Sequence, residues 1–141
     1  MVKLSDIFNK AKKYHEASEA RNVTEIPNIT KLFKISDISK PCVYCVISLS
    51  CAHCIELLPQ LSIFNGNIHF SLITDGDELE NNEIIRELKF DFPVFSYKEP
   101  LEKANIYETP TSILVDVKGN IIEKMFTPNV SEIQALIYKE L

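Results

Sequence analysis

The chain has 141 residues, 45% of them apolar, which suffices for one domain with a single core and falls short of two ordinary ones. Its formal charge of −5 leaves no basic stripe for a phosphate backbone, so no nucleic acid partner is expected. No apolar run reaches the length of a membrane span, and residues 1–10 scatter charges instead of leading with an export signal, so the expectation is a cytoplasmic protein without a membrane partner.

Residues 4–18 place Leu4, Ile7, Phe8, Ala11, Tyr14 and His15 near one helical face, with Ser5 and Asp6 available to cap the first turn. That stripe is expected to dock on the domain or on a partner. Residues 19–30 are polar, contain Pro27 and read as a connector, so an N-terminal helix and connector (1–30) precede a domain spanning 31–141. Lys31 to Ile35 alternates as an edge strand, Ser36 to Ser39 turns, and Lys40-Pro41 sets the start of the central strand. Val43, Tyr44, Val46, Ile47 and Leu49 are the types that fill a strand buried on both faces. From Cys51 the spacing turns helical to about Phe64, where Asn65-Gly66-Asn67 stops it.

Ile68 to Thr74 reads as the next strand and Asp75-Gly76-Asp77 as a turn. Asp77 is then expected to cap a helix to about Leu88, with Leu79, Ile84, Ile85 and Leu88 buried. Phe92 to Tyr97 reads as a short strand opening on Pro93, and Pro100 to Asn105 as a helical turn. Thr111 to Val117 and Asn120 to Thr127 read as strands joined by a hairpin at Lys118-Gly119. Ser131 is expected to cap a last helix that faces Ile133, Leu136, Ile137 and Leu141 inward. The order implies an α/β fold, a mixed central sheet with helices on both faces, with chemistry at the carboxyl ends of the central strands.

Cys51-Ala52-His53-Cys54 stands where the central strand hands over to a helix. Free N–H groups and the positive end of the helix favour a thiolate there, most strongly on the first cysteine. Cys51 is therefore the candidate nucleophile and Cys54, one turn on, the candidate resolving thiol. Ala52 and His53 tune the couple: a protonated imidazole beside the helix start further favours the Cys51 thiolate, unless His53 simply stands in solvent. Cys42 and Cys45 form a second C-x-x-C, but within a strand they point to opposite faces. A four-cysteine zinc site from Cys42, Cys45, Cys51 and Cys54 competes with the redox reading, although buried strand fills the gap where zinc knuckles usually carry a longer loop. Cys45 is the candidate auxiliary thiol beneath the pair. The redox reading needs no metal and no cofactor beyond a redox-active disulfide.

The cysteine motif after a buried strand, Pro59 five residues beyond Cys54, and Thr109-Pro110-Thr111 ahead of a strand followed by Asp116-Val117-Lys118-Gly119-Asn120 resemble the thioredoxin superfamily, closest to its TlpA-like thiol-disulfide reductase branch. The resemblance runs from about Lys31 to the C-terminus. It implies a thioredoxin-like fold with an N-terminal helix extension, and a cis Pro110 that sets Thr109 against the active pair as a groove for a substrate's extended chain. X-Pro is the bond at which cis costs least; an ordinary trans turn is the alternative. It further implies exchange with a disulfide- or thiol-containing peptide or protein and a cellular thiol reductant or oxidant as second partner. The departures are Ser50 for the aromatic residue usual before the first cysteine, Cys45 where thioredoxins keep a buried acid, and Leu57 where many TlpA-like proteins carry glutamate, Glu56 being one place off. The make-up also resembles small cytoplasmic thioredoxin-like proteins encoded beside bacteriocin genes. A binding module that escorts a cysteine-containing peptide without turnover is the alternative function.

Overall fold

The computed structural model describes residues 28–35 and 40–139. The helix expected over residues 4–18, most of its connector, the turn at 36–39 and Leu141 lie outside the described residues.

Strands β1 (Cys42–Ile47), β2 (Phe70–Thr74), β3 (Val94–Ser96), β4 (Thr111–Val115) and β5 (Ile121–Phe126) form one sheet in the order β3-β2-β1-β4-β5. β1, β2 and β3 run parallel, and β4 and β5 antiparallel to their neighbours, so the sheet is mixed. The helices among the described residues are α1 (Ile29–Phe33), α2 (Ala52–Leu57), α3 (Glu78–Leu88) and α4 (Val130–Lys139), with 3₁₀ segments at Leu58–Phe64 and Leu101–Ala104.

All six residues of β1 are buried, as a continuous β-branched and aromatic run at the centre of a sheet requires. Its alternation divides the core in two. Val43, Cys45 and Ile47 face a layer built from α2, the 3₁₀ segment after it and α4, with Ile84 and Leu88 of α3 packed alongside. Cys42, Tyr44 and Val46 face Ile29 and Phe33 of α1, Tyr97, Ala104 and Ile106.

Four expectations need correction. Lys31 to Ile35 is not an edge strand: α1 occupies most of it. Five residues of weak alternation fit either period, and the decision falls to a cap and an i, i+4 pair. The Asn28 side chain accepts the Thr30 N–H at 2.9 Å, Ile29 and Phe33 are both buried, and Lys34 closes the helix in the left-handed conformation (φ 56°). The cysteine helix does not stay α-helical to Phe64, because Pro59 has no N–H to offer the preceding turn; beyond Leu57 the chain continues as 3₁₀ helix. In α3, Asp77 makes the expected cap, a reciprocal box in which Asp77 accepts the Glu80 N–H and Glu80 accepts that of Asp77. Leu79, however, is 80% exposed. The inward stripe is Asn81, Ile84, Ile85 and Leu88, whose 3-4-7 spacing leaves position 79 outside it, and buried Asn81 accepts the Thr74 hydroxyl at 2.5 Å. Finally, α4 is capped by Asn129 rather than Ser131: Asn129 Oδ1 accepts the Glu132 N–H at 3.1 Å and the Ser131 hydroxyl at 2.6 Å.

Candidate active site

The chain leaves β1 at Ile47, turns through Ser48 to Ser50, and enters α2 with Cys51 as the cap residue in extended conformation (φ −95°, ψ 120°). The Cys51 carbonyl accepts the Ile55 N–H at 3.0 Å, so the sulfur stands over the first turn of the helix. Because β4 pairs with β1 in the register Val46↔Thr111, the loop before β4 is carried to the same end of the sheet. Its Thr109–Pro110 peptide bond is cis, and Cys51 Sγ donates to the Thr109 carbonyl at 3.6 Å. The Pro110 carbonyl in turn accepts the Thr127 N–H at 2.9 Å, tying the loop to the end of β5. Cys51, Cys54, Thr109 and Pro110 are thus brought together from opposite halves of the chain.

The two thiols differ in environment. Cys51 is partly exposed and Cys54 is buried; both are unbridged. Partial desolvation opposes ionisation of Cys51. Hydrogen bonds with the Thr109 side chain, with the Cys54 thiol and with the backbone N–H groups of Cys54 and His53 outweigh it and hold Cys51 below the ordinary thiol value. Burial dominates at Cys54 and, aided by the neighbouring Cys51, pushes its thiol up to about 11 against hydrogen bonds with Thr109 and the Ser48 backbone. The partly exposed sulfur is thus the more readily ionised of the two, and its buried partner keeps its proton. His53 serves Cys51 through its backbone N–H while the residue is exposed; Ala52 is exposed too.

Cys45 lies under the pair, fully buried in the same core layer as Cys54. Burial pushes its thiol up to about 12 despite a hydrogen bond with Ser112, and nearby Cys54 adds to the rise. The Ser112 hydroxyl is shared with that of Thr127 at 2.6 Å. Cys42 is on the other face, against Tyr44 and Ser71. The four cysteines therefore do not converge, and the geometry does not favour the zinc alternative.

Retention of protons by Cys45 and Cys54 has a measurable consequence. Unfolded thiols ionise near pH ~8.5, so above that pH the unfolded chain binds fewer protons than the folded one, and stability falls as pH rises towards the folded values. Buried Cys42 acts in the same direction, and Cys51 in the opposite one. The urea midpoint of the reduced protein should decline from about pH 8.5 to 10.5, and less steeply in Cys45→Ala. Identical slopes for the two proteins would show that Cys45 does not keep its proton.

No protein-family model matches the chain, and a search of curated proteins finds no match. Solved structures do match. A secreted Mycobacterium tuberculosis disulfide oxidoreductase homologous to E. coli DsbE superposes with a TM-score of 0.55 at 15% identity, covering 72% of this chain and 82% of that one. StoA from Bacillus subtilis gives 0.53 at 20% identity over 71% and 84%, and a thiol-disulfide isomerase from Corynebacterium glutamicum 0.56 at 20% over 84% and 89%. Together with the mixed five-stranded sheet and its helices, these likenesses show that the chain has a thioredoxin-like α/β fold.

Proposed function

We propose that the protein is a thiol-disulfide oxidoreductase acting on a peptide or protein disulfide. The observation that carries the reading is the asymmetric pair: a partly exposed, acid-shifted Cys51 sulfur in hydrogen-bond contact with a buried Cys54 that holds its proton. In the reducing direction the Cys51 thiolate attacks one sulfur of the substrate disulfide, forming a mixed disulfide and expelling the other sulfur, which takes up a proton. Cys54 then loses its proton and attacks Cys51, releasing the second substrate thiol and leaving a Cys51–Cys54 disulfide. Two electrons and two protons pass to the substrate, and a cellular thiol reductant resets the pair. The oxidising direction is the same sequence reversed.

Thr109 and Pro110 are the proposed rest for the substrate backbone, and the cytoplasm is the proposed compartment. A cysteine-containing peptide undergoing maturation, as in bacteriocin synthesis, is the substrate class to try first, on the resemblance in make-up noted above. The test uses Cys54→Ser incubated with a disulfide-linked peptide: a mixed disulfide through Cys51 should accumulate and register as added mass. Its failure to form would count decisively against the mechanism. Reduction of insulin by the unsubstituted protein separates turnover from simple escort.

A further inference from the structure

The side chains of Ser48, Ser50 and Asp75 carry no role in the exchange just described, yet they close the turn that delivers Cys51. Asp75 follows β2, and since β1 and β2 are in parallel register with Ile47 beside Thr74, its carboxylate reaches sideways into the turn that follows β1. Oδ1 accepts the Leu49 N–H at 2.8 Å and Oδ2 accepts the Ser48 hydroxyl at 2.6 Å. With its proton committed to Asp75, Ser48 Oγ can act only as an acceptor toward Ser50. The Ser50 hydroxyl at 2.9 Å and the Ser50 N–H at 3.3 Å both converge on it. The Cys51 N–H closes the turn on the Ser48 carbonyl at 3.1 Å.

The two loops also interlock through packing. A Cβ at Gly76 would stand 2.6 Å from Leu49 Cδ1, so glycine there lets the Leu49 side chain close against the Asp75 loop. Lys98 Nζ donates to the Asp75 carbonyl at 3.4 Å, and Ser96 donates to that of Gly76. One carboxylate thus supplies two of the acceptors that fix the turn before Cys51, from a loop position 24 residues away in sequence.

We propose that Asp75 is a positioning residue of the dithiol site: its carboxylate locks the Ser48–Ser50 turn and so holds the Cys51 sulfur against the N–H groups of α2 and against Thr109. The inference rests on the proposed exchange for its meaning, but its test does not require turnover. The pH profile of Cys51 alkylation by iodoacetamide is measured in Asp75→Ala and Ser48→Ala beside the unsubstituted protein, with thermal unfolding recorded for each. A carboxylate acting through charge alone would repel the thiolate, so its removal would move the profile to lower pH. Loss of a brace frees the sulfur from its N–H donors and moves the profile to higher pH. The expected result is an upward shift of about one unit, the worth of roughly one hydrogen bond to a charged group, in a folded variant. An unchanged or lowered profile overturns the proposal. Ser48→Ala, which removes one hydroxyl and no charge, gives the same reading if Asp75→Ala does not fold. A silent Cys54→Ser trap alongside an upward shift would sink the exchange and leave the brace standing.

Discussion

Replacing Cys51 by serine is expected to abolish disulfide exchange, whereas replacing Cys54 should stop turnover after its first half. The distinction follows from what each sulfur meets. Cys51 has the exposure to reach a substrate and the hydrogen bonds that favour its anion. A serine hydroxyl placed there has neither the acidity nor the sulfur chemistry to open a disulfide, and buried Cys54, its proton held to about 11, is no substitute. Insulin reduction by Cys51→Ser should therefore sit at the background of the reductant alone, with no mixed disulfide by mass. Retention of even a substantial fraction of the activity would move the nucleophile elsewhere, with Cys54 the first place to look. The variant keeps the cap geometry of α2, since serine is a preferred cap residue, so loss of activity should come without loss of fold.

The strand-to-helix junction that carries the cysteine pair is legible in the sequence because two local signals agree on it: a run of residues that only a central strand can bury, followed at once by helical spacing. The same logic put Cys42 and Cys45 on opposite faces, where the two core layers hold them. Local signals failed where they were short or weak. Lys31 to Ile35 is too brief for its alternation to outvote a cap at Asn28, which lay inside what read as a connector. Hydrophobicity points Leu79 inward, while the place goes to Asn81, a polar residue whose partner Thr74 lies in a strand. In the sequence Asp75 is part of a turn and nothing more. Its two hydrogen bonds depend on β1 and β2 being side by side and parallel, a relation between distant segments that no window of sequence contains. What sequence periodicity reports is which side of an element faces the core; pairing across elements needs the fold.

The largest expected loss of stability lies at the opposite end of the sheet from the site. Phe70 opens β2 beside Val43, 1% exposed, and its ring stacks on Phe64 at 4.4 Å between centroids and meets Phe92 edge-on at 4.8 Å. Phe90 extends the cluster against Phe92 at 4.5 Å. Phe64 ends the 3₁₀ segment that continues α2, so Phe70 is the ring that pins the far end of the cysteine-bearing helical stretch to the sheet. Truncation to alanine removes an aromatic side chain from a place that the 3₁₀ segment after α2 and the chain before β3 close from two sides, and such cavities cost about 3–5 kcal/mol. Urea unfolding of Phe70→Ala should show that loss. Since Phe70 stands at the start of β2 and Cys51 follows the end of its parallel neighbour, the exchange rate of the protein that remains folded should be nearly unchanged at low temperature. A variant destabilised by less than about 1 kcal/mol would mean that the stretch is seated by other contacts. One that keeps its stability but loses exchange would mean that the two ends of the sheet are coupled through the helical stretch that spans them.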